Sequence, residues 1–427
     1  MYNELRNTMS HPLKKVELLA PAGTPEKLEI AIHYGADAVY LADSRFSLRN
    51  FAGNFTCDQL TAAAGLARKH GVKLYVACNI YARTDETEAL CEYFHRLSAI
   101  GPDGIIIADP GVLKLARATI PHIPVHLSTQ ANTTSLEAVR FWEQQGVSRI
   151  NLARELTLTE LAQIASQTSV QIETFVHGSM CMAYSGRCLL SGFLTGRESN
   201  RGLCSQPCRW QYSLAEETRP GVWMPVFEDD RGAYVFNAKD LCMIEHIDSL
   251  INAGIAALKI EGRMKSIHYL AATVKVYREA IDAYYEKPEK YRVQTAWIEE
   301  LEAVNNRGFS TGFYFGPPES GGINRTGARP GTAYRFLARI LRARPSGRVT
   351  AEVKNKLCEG DAVEILTAGG PVRPGTVLNI FDADGNPMEA AMPNSTATLV
   401  LSATCGPNDL IRCRETPPAT QGGEHLR

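Results

Sequence analysis

The chain has 427 residues, 44% of them apolar, and a formal net charge of only −1, which excludes a disordered polyelectrolyte and leaves ample material for a large core. Eleven cysteines in this length are too sparse for a disulfide scaffold. Residues 1–21 carry no apolar run ahead of a small-residue cleavage site, and no stretch is apolar for long enough to span a bilayer, so a cytoplasmic protein without membrane contact is expected.

Short apolar runs alternate with amphipathic segments through the first 290 residues. The run Val16 to Ala20 precedes a helix opened by Thr24 as N-cap and Pro25 as first residue, with Glu26 in its first turn. Strand signals recur at Ala38–Ala42, Lys73–Cys78, Gly104–Ala108, Val125–Ser128, Arg149–Ala153, Ile172–Val176 and Ala257–Ile260. Helical periods lie between them at Cys57–His70, Glu86–Ile100, Ser135–Gln145, Thr159–Ser166 and Leu241–Ala253, with Ile267–Tyr285 last. Strands alternating with crossover helices form a parallel sheet, and eight such units predict a closed (β/α)8 TIM-like barrel over residues 1–290. Residues 291–332 read as a connecting segment rich in glycine and proline, 333–415 as a small C-terminal β-barrel of short strands, and 416–427 as a frayed tail.

In such barrels the chemistry sits where strands end. Here those ends carry Asn79, Tyr81, Asp109, Ser128, Gln130, Asn132, Arg154, Glu155, His177 and Arg263. On the seventh strand Glu173, Phe175 and His177 share one parity, and on the eighth so do Lys259, Glu261 and Arg263, which turns both sets toward the barrel interior and mouth. Buried charges must pair, so Glu173, Lys259 and Glu261 read either as an interior salt-bridge layer or as substrate contacts. His177, Arg154 and Arg263, nearer the open end, read as catalytic or substrate-holding groups: an imidazole titrates near neutral pH, and a guanidinium takes a carboxylate in bidentate fashion.

A connection of about 178–242, far longer than a usual strand-to-helix loop, separates the seventh strand from the eighth. It holds Cys181, Cys188, Cys204, Cys208 and Cys242, with six, fifteen, three and thirty-three residues between successive members. This is a poor match to paired zinc knuckles, while a cubane whose thiolates arrive from separate loops tolerates irregular spacing. Zinc, thiol catalysis and structural thiols stay open. The remaining Cys57, Cys78, Cys91, Cys358, Cys405 and Cys413 read as core cysteines.

The run Glu173 to Cys181 followed by Arg187-Cys188-Leu189-Leu190-Ser191, with the blocks Asn237 to Cys242 and Leu258 to Lys265, resembles the collagenase-like peptidase family. The C-terminal β-domain after Arg307 to Gly312 resembles the branch of prephenate-dependent tRNA uridine 5-hydroxylases. That resemblance implies hydroxylation of C5 of the wobble uridine, prephenate as co-substrate, tRNA and an unidentified electron-transfer protein as partners, and a 4Fe–4S cluster on Cys181, Cys188, Cys204 and Cys242. Cys208 competes with Cys242 as fourth ligand, because some relatives use a C-x3-C pair. Alternatives are hydroxylation of an rRNA cytidine or of a quinone precursor and, from another class, peptidase activity, although no HExxH motif and no evident nucleophile triad occur.

Seven arginines and no acidic residue fall between Arg325 and Arg348, with Tyr334 and Phe336 among them. Arg339, Arg342 and Arg344 are therefore expected to contact RNA phosphates. Arg187, Arg197, Arg201 and Arg209 form a second basic group beside Trp210.

Overall fold

A computed structural model of the chain describes residues 15–43, 45–47, 53–180, 187–210, 213–215, 223–225, 239–316, 334–344 and 347–415. Eight parallel strands form the first domain: β1 (Glu17–Pro21), β2 (Ala38–Leu41), β3 (Lys73–Cys78), β4 (Gly104–Ile107), β5 (Val125–Leu127), β6 (Arg149–Asn151), β7 (Gln171–Gly178) and β8 (Ala257–Ile260). Each pairs with the next in sequence, and β8 closes the ring by pairing with β7 (Leu258 opposite Thr174) and with β1 (Leu258 opposite Leu18).

Local chemistry sets the helix starts. In α1 (Pro25–His33) the Thr24 hydroxyl accepts from the Lys27 amide, and α2 (Cys57–Lys69) and the helix Leu158–Ser166 open with reciprocal capping boxes, Thr56 with Gln59 and Thr157 with Glu160. Asp109 caps the helix Pro110–Thr119 by accepting from the Val112 amide at 2.9 Å, so this strand-end carboxylate is engaged in holding a helix. Strand parity splits the core in two. Leu18, Val39, Val76, Ile105, Ile150 and Leu258 face the helical shell, while Leu19, Ala38, Tyr40, Ala42, Tyr75, Ala77 and Ile106 fill the barrel interior. The longest helix among the described residues, Ile267–Glu286, buries most of its residues and packs along α1 and β1.

The predicted helix over Leu241–Ala253 is corrected at its start. Asp240–Cys242 is a short strand antiparallel to the end of β7, with Leu241 opposite Gly178 and Cys242 opposite His177, and only Ile247–Asn252 is α-helix. The cause lies in the backbone bonds: the Asp240 amide donates to Gly308 and the Met243 amide to Val176, each at 2.9 Å. A helix cannot include groups already committed to the sheet. Buried Asp240 is fixed from its other side by Arg307 at 2.6 Å and Lys265 at 3.4 Å.

The second domain is an antiparallel barrel of six main strands, β9 (Tyr334–Ala343), β10 (Arg348–Val353), β11 (Ala362–Leu366), β12 (Arg373–Phe381), β13 (Ser395–Leu401) and β14 (Leu410–Arg414). Their spatial order is β11-β14-β9-β10-β13-β12, and β12 returns to β11. Arg412 ties it to the first domain. Its guanidinium donates to both carboxylate oxygens of Glu300, at 2.5 and 2.8 Å, and also pairs with Glu364 at 3.0 Å. Tyr34 donates to the Leu366 carbonyl at 2.7 Å and Lys275 to that of Gly370 at 2.6 Å.

Candidate active site at the barrel mouth

The barrel interior carries a ladder of charge. Near its base Glu17 accepts from Arg149 at 2.6 Å, from Lys73 at 2.7 Å and from the Tyr75 hydroxyl at 3.0 Å. Burial raises the Glu17 carboxyl, and Arg149 and Lys73 outweigh burial to hold it below its usual value. One step higher Lys259 donates to Glu173 at 2.7 Å, and Arg149 reaches the same carboxylate at 3.5 Å. The Lys259 ammonium also lies 4.6 Å from the Tyr40 ring centre and 5.4 Å from that of Phe175. Glu173 and Lys259 thus form the interior salt-bridge layer, with Lys259 at the floor of the mouth.

Above that floor, at the carboxyl ends of the strands, is a cavity of about 50 Å³ lined by Tyr40, Ala77, Asn79, Ile106, Ser128, Thr129, Gln130, Asn151, Phe175, Lys259, Glu261 and Arg263. A larger cavity of about 520 Å³ opens at the other end of the barrel, beside Lys15, Asp37, His70 and Gln171. Barrel chemistry gathers at strand carboxyl ends, so the smaller cavity is the candidate site. Its walls are ordered by short contacts: Asn79 donates to Gln130 at 3.2 Å, Tyr81 donates to the Gln130 carbonyl at 2.9 Å, and Ser128 bonds the Gln130 side chain. Glu261 accepts from Tyr40 at 3.3 Å.

The three mouth residues read from sequence do not all meet. Arg263 lines the cavity, is 3% exposed, and is held by Ser47 at 2.8 Å and by Asn54. Arg154 lies over the Phe175 ring, 5.0 Å from its centre, and donates to the Ser179 carbonyl at 2.9 Å. This places it beside the cavity wall and on the chain entering the insertion. His177 is a correction. The pairing of β7 with β8 skips Val176, so that Lys259 faces Phe175 and Ile260 faces His177. That bulge breaks the alternation of faces. His177 consequently packs among Tyr269, Tyr277 and Phe309, and burial pushes its pKa down to about 3. It is a neutral imidazole away from the cavity and does not titrate near neutral pH.

The described part of the insertion is docked on the β3 side of the mouth. Arg201 donates to the Tyr81 carbonyl at 2.8 Å and to Glu86 at 2.7 and 3.0 Å, while Arg83 pairs with Glu198 at 3.1 Å. Arg201 is thereby committed to protein partners. Cys188, Cys204 and Cys208 are half-buried in this segment. Cys242 sits opposite His177, its thiol pushed up to about 11, chiefly by burial. Cys181 lies outside the described residues. The donors suit iron–sulfur ligation in type, although among the described residues no three His, Cys, Asp or Glu side chains converge as a metal site.

The arginines of the second domain divide. Arg339 is 6% exposed, donates to Asn408 at 2.6 and 3.0 Å and pairs with Glu29 of α1, so its expected phosphate contact is corrected to an interdomain tie. Arg342 and Arg344 are exposed. Arg325 and Arg329 fall outside the described residues. Tyr334 is covered by Arg412, 4.1 Å from its ring centre.

A closed (β/α)8 barrel with a cysteine-bearing insertion and a separate β-barrel defines the class, and the chain belongs to peptidase family U32. Residues 23–324 match that family and residues 332–412 match its C-terminal domain. Over 403 residues the chain is 40% identical to tRNA hydroxylation protein P1 of Bacillus subtilis (strain 168), covering 93% of this chain and 95% of that one. It is 36% identical to tRNA hydroxylation protein P of Escherichia coli (strain K12), over 88% of this chain and 91% of that one. The 23S rRNA 5-hydroxycytidine C2501 synthase of the same organism is 31% identical over 96% of this chain and 60% of its own length.

Proposed function

We propose that this protein hydroxylates tRNA, and that its target is C5 of the wobble uridine. The observation that carries the reading is the near full-length likeness to tRNA hydroxylation proteins, which includes both domains, combined with a polar cavity at the catalytic end of the barrel. Exposed Arg342 and Arg344 on the second domain offer a phosphate-contacting face. Arg263, anchored at the cavity, supplies a guanidinium suited to a carboxylate, and prephenate is the co-substrate the family resemblance implies. A peptidase reading gains no support, since among the described residues neither a histidine nor a cysteine lines the cavity.

Cys181, Cys188, Cys204 and Cys242 would hold a 4Fe–4S cluster, whose chemistry is one-electron transfer. The high pKa of the buried Cys242 thiol means that a thiolate there needs a cationic partner. Anaerobically purified protein should contain about four iron and four sulfide per chain, and should form 5-hydroxyuridine on tRNA in a prephenate-dependent reaction. Cys242→Ala should lose most of the iron and Cys208→Ala should keep it. The reverse pattern exchanges the fourth ligand, and stoichiometric zinc without sulfide rules out the cluster.

A further inference from the structure

Asn151 is the last residue of β6, and its parity with inward-facing Arg149 turns it into the barrel. It is 1% exposed and lines the mouth cavity, yet neither its Nδ2 nor its Oδ1 has a hydrogen-bond partner among the described residues. Both amide atoms are unpaired, so this holds for either orientation of the amide. Buried amides are nearly always satisfied, and an orphaned one calls for a ligand or water that completes it.

Its neighbours are already engaged. Lys259 is bonded to Glu173, Glu261 accepts from Tyr40, and Arg263 is held by Ser47 and Asn54. Asn151 itself is neutral and two-sided, one acceptor beside donors. The matching ligand presents an adjacent donor and acceptor on one planar edge. A carboxylate offers acceptors alone and leaves Oδ1 unsatisfied, whereas the N3–H and O4 edge of uracil satisfies both atoms at once. The cavity of about 50 Å³ has room for roughly four waters at ~10–15 Å³ each, the scale of one small ring, and Ala77, Ile106, Phe175 and Tyr40 in its wall give a flat heterocycle apolar contact.

We infer that Asn151 reads the imide edge of a pyrimidine base turned out of the RNA into the barrel mouth. The inference rests on the tRNA reading above and names the residue that contacts the base edge. The full-length protein is titrated with two anticodon stem-loops, one carrying uridine at the wobble position and one carrying pyrimidin-2-one ribonucleoside, which keeps the ring and lacks both N3–H and O4. The parent protein should bind the uridine RNA about tenfold more tightly, the size of one bidentate base contact. Asn151→Leu, similar in size and without polar atoms, should bind both RNAs alike at the weaker level, and its Tm should be no lower than that of the parent because an orphaned amide has been removed. Asn151→Ser supplies the same comparison if the leucine variant does not fold. Equal binding of the two RNAs by the parent, or discrimination that survives both substitutions, overturns the assignment of Asn151 and leaves tRNA binding standing. Failure of both RNAs to bind overturns the tRNA reading and this inference with it.

Discussion

His177 and His268 show what burial does to a side chain whose ordinary pKa is 6.5: each is held down to about 3, chiefly by desolvation, with Arg412 adding to the effect on His268. His268 lies beside the Arg412–Glu300 pair, 3.3 Å from the guanidinium, with the Phe336 ring against it. A histidine with a depressed folded pKa binds a proton more readily when unfolded, so its stabilising contribution is complete above pH 6.5 and is lost as pH falls toward 3. His268→Gln should flatten the dependence of unfolding free energy on pH in that window by up to about 1.4 kcal/mol per pH unit, one proton's worth. Urea unfolding at several pH values measures this. A variant slope equal to that of the parent contradicts a neutral buried His268.

At the scale of elements, the insertion is fastened by Arg201, whose guanidinium and Glu86 partner are both about one quarter exposed, at 26% and 24%. Such a pair contributes roughly 1 kcal/mol or less, which is small for the barrel and large for a short segment. Arg201→Ala should speed hydrogen exchange across residues 187–210 and leave the exchange of β3 and β4 unchanged. Equal rates in that segment would show that Arg201 is not its anchor.

The eight barrel strands were legible because apolar runs and helix caps such as Thr24 and Thr157 are local signals. The Glu173–Lys259 pair was legible because parity and the need to neutralise buried charge are simple rules. His177 was not, because one skipped residue in the β7–β8 pairing inverts its face, and nothing in Phe175-Val176-His177 announces a bulge. The strand at Asp240–Cys242 was hidden for a related reason, since its partners Gly178 and Phe309 are remote in sequence. Asn151 could have been found by carrying the parity argument from Arg149 along β6.

For the whole molecule, the two barrels are joined through Arg412 and Arg339, which are buried against Glu300 and Glu29, while Arg342 and Arg344 point away into solvent. A run of arginines uniform in sequence thus splits into interdomain ties and an exposed basic face. Replacing Arg342 and Arg344 with Ala should weaken tRNA binding, and should reduce the slope of log affinity against log salt by up to about one for each phosphate that is no longer neutralised. Unchanged affinity and slope move the RNA face elsewhere. Arg339→Ala should instead destabilise the fold, by roughly 1–3 kcal/mol for the Asn408 acceptor it leaves unpaired, because the half-exposed Glu29 carboxylate stays hydrated.

The sharpest test of tRNA modification at the barrel mouth, with Arg263 holding the co-substrate, is mass spectrometry of tRNA nucleosides from a strain lacking this gene, complemented with the parent or with Arg263→Ala. 5-Hydroxyuridine and nucleosides built on it should disappear in the deletion, return with the parent, and fail to return with Arg263→Ala even though that variant accumulates as folded protein. A nucleoside profile unchanged by the deletion would refute the tRNA activity, and one fully restored by Arg263→Ala would refute the role of Arg263.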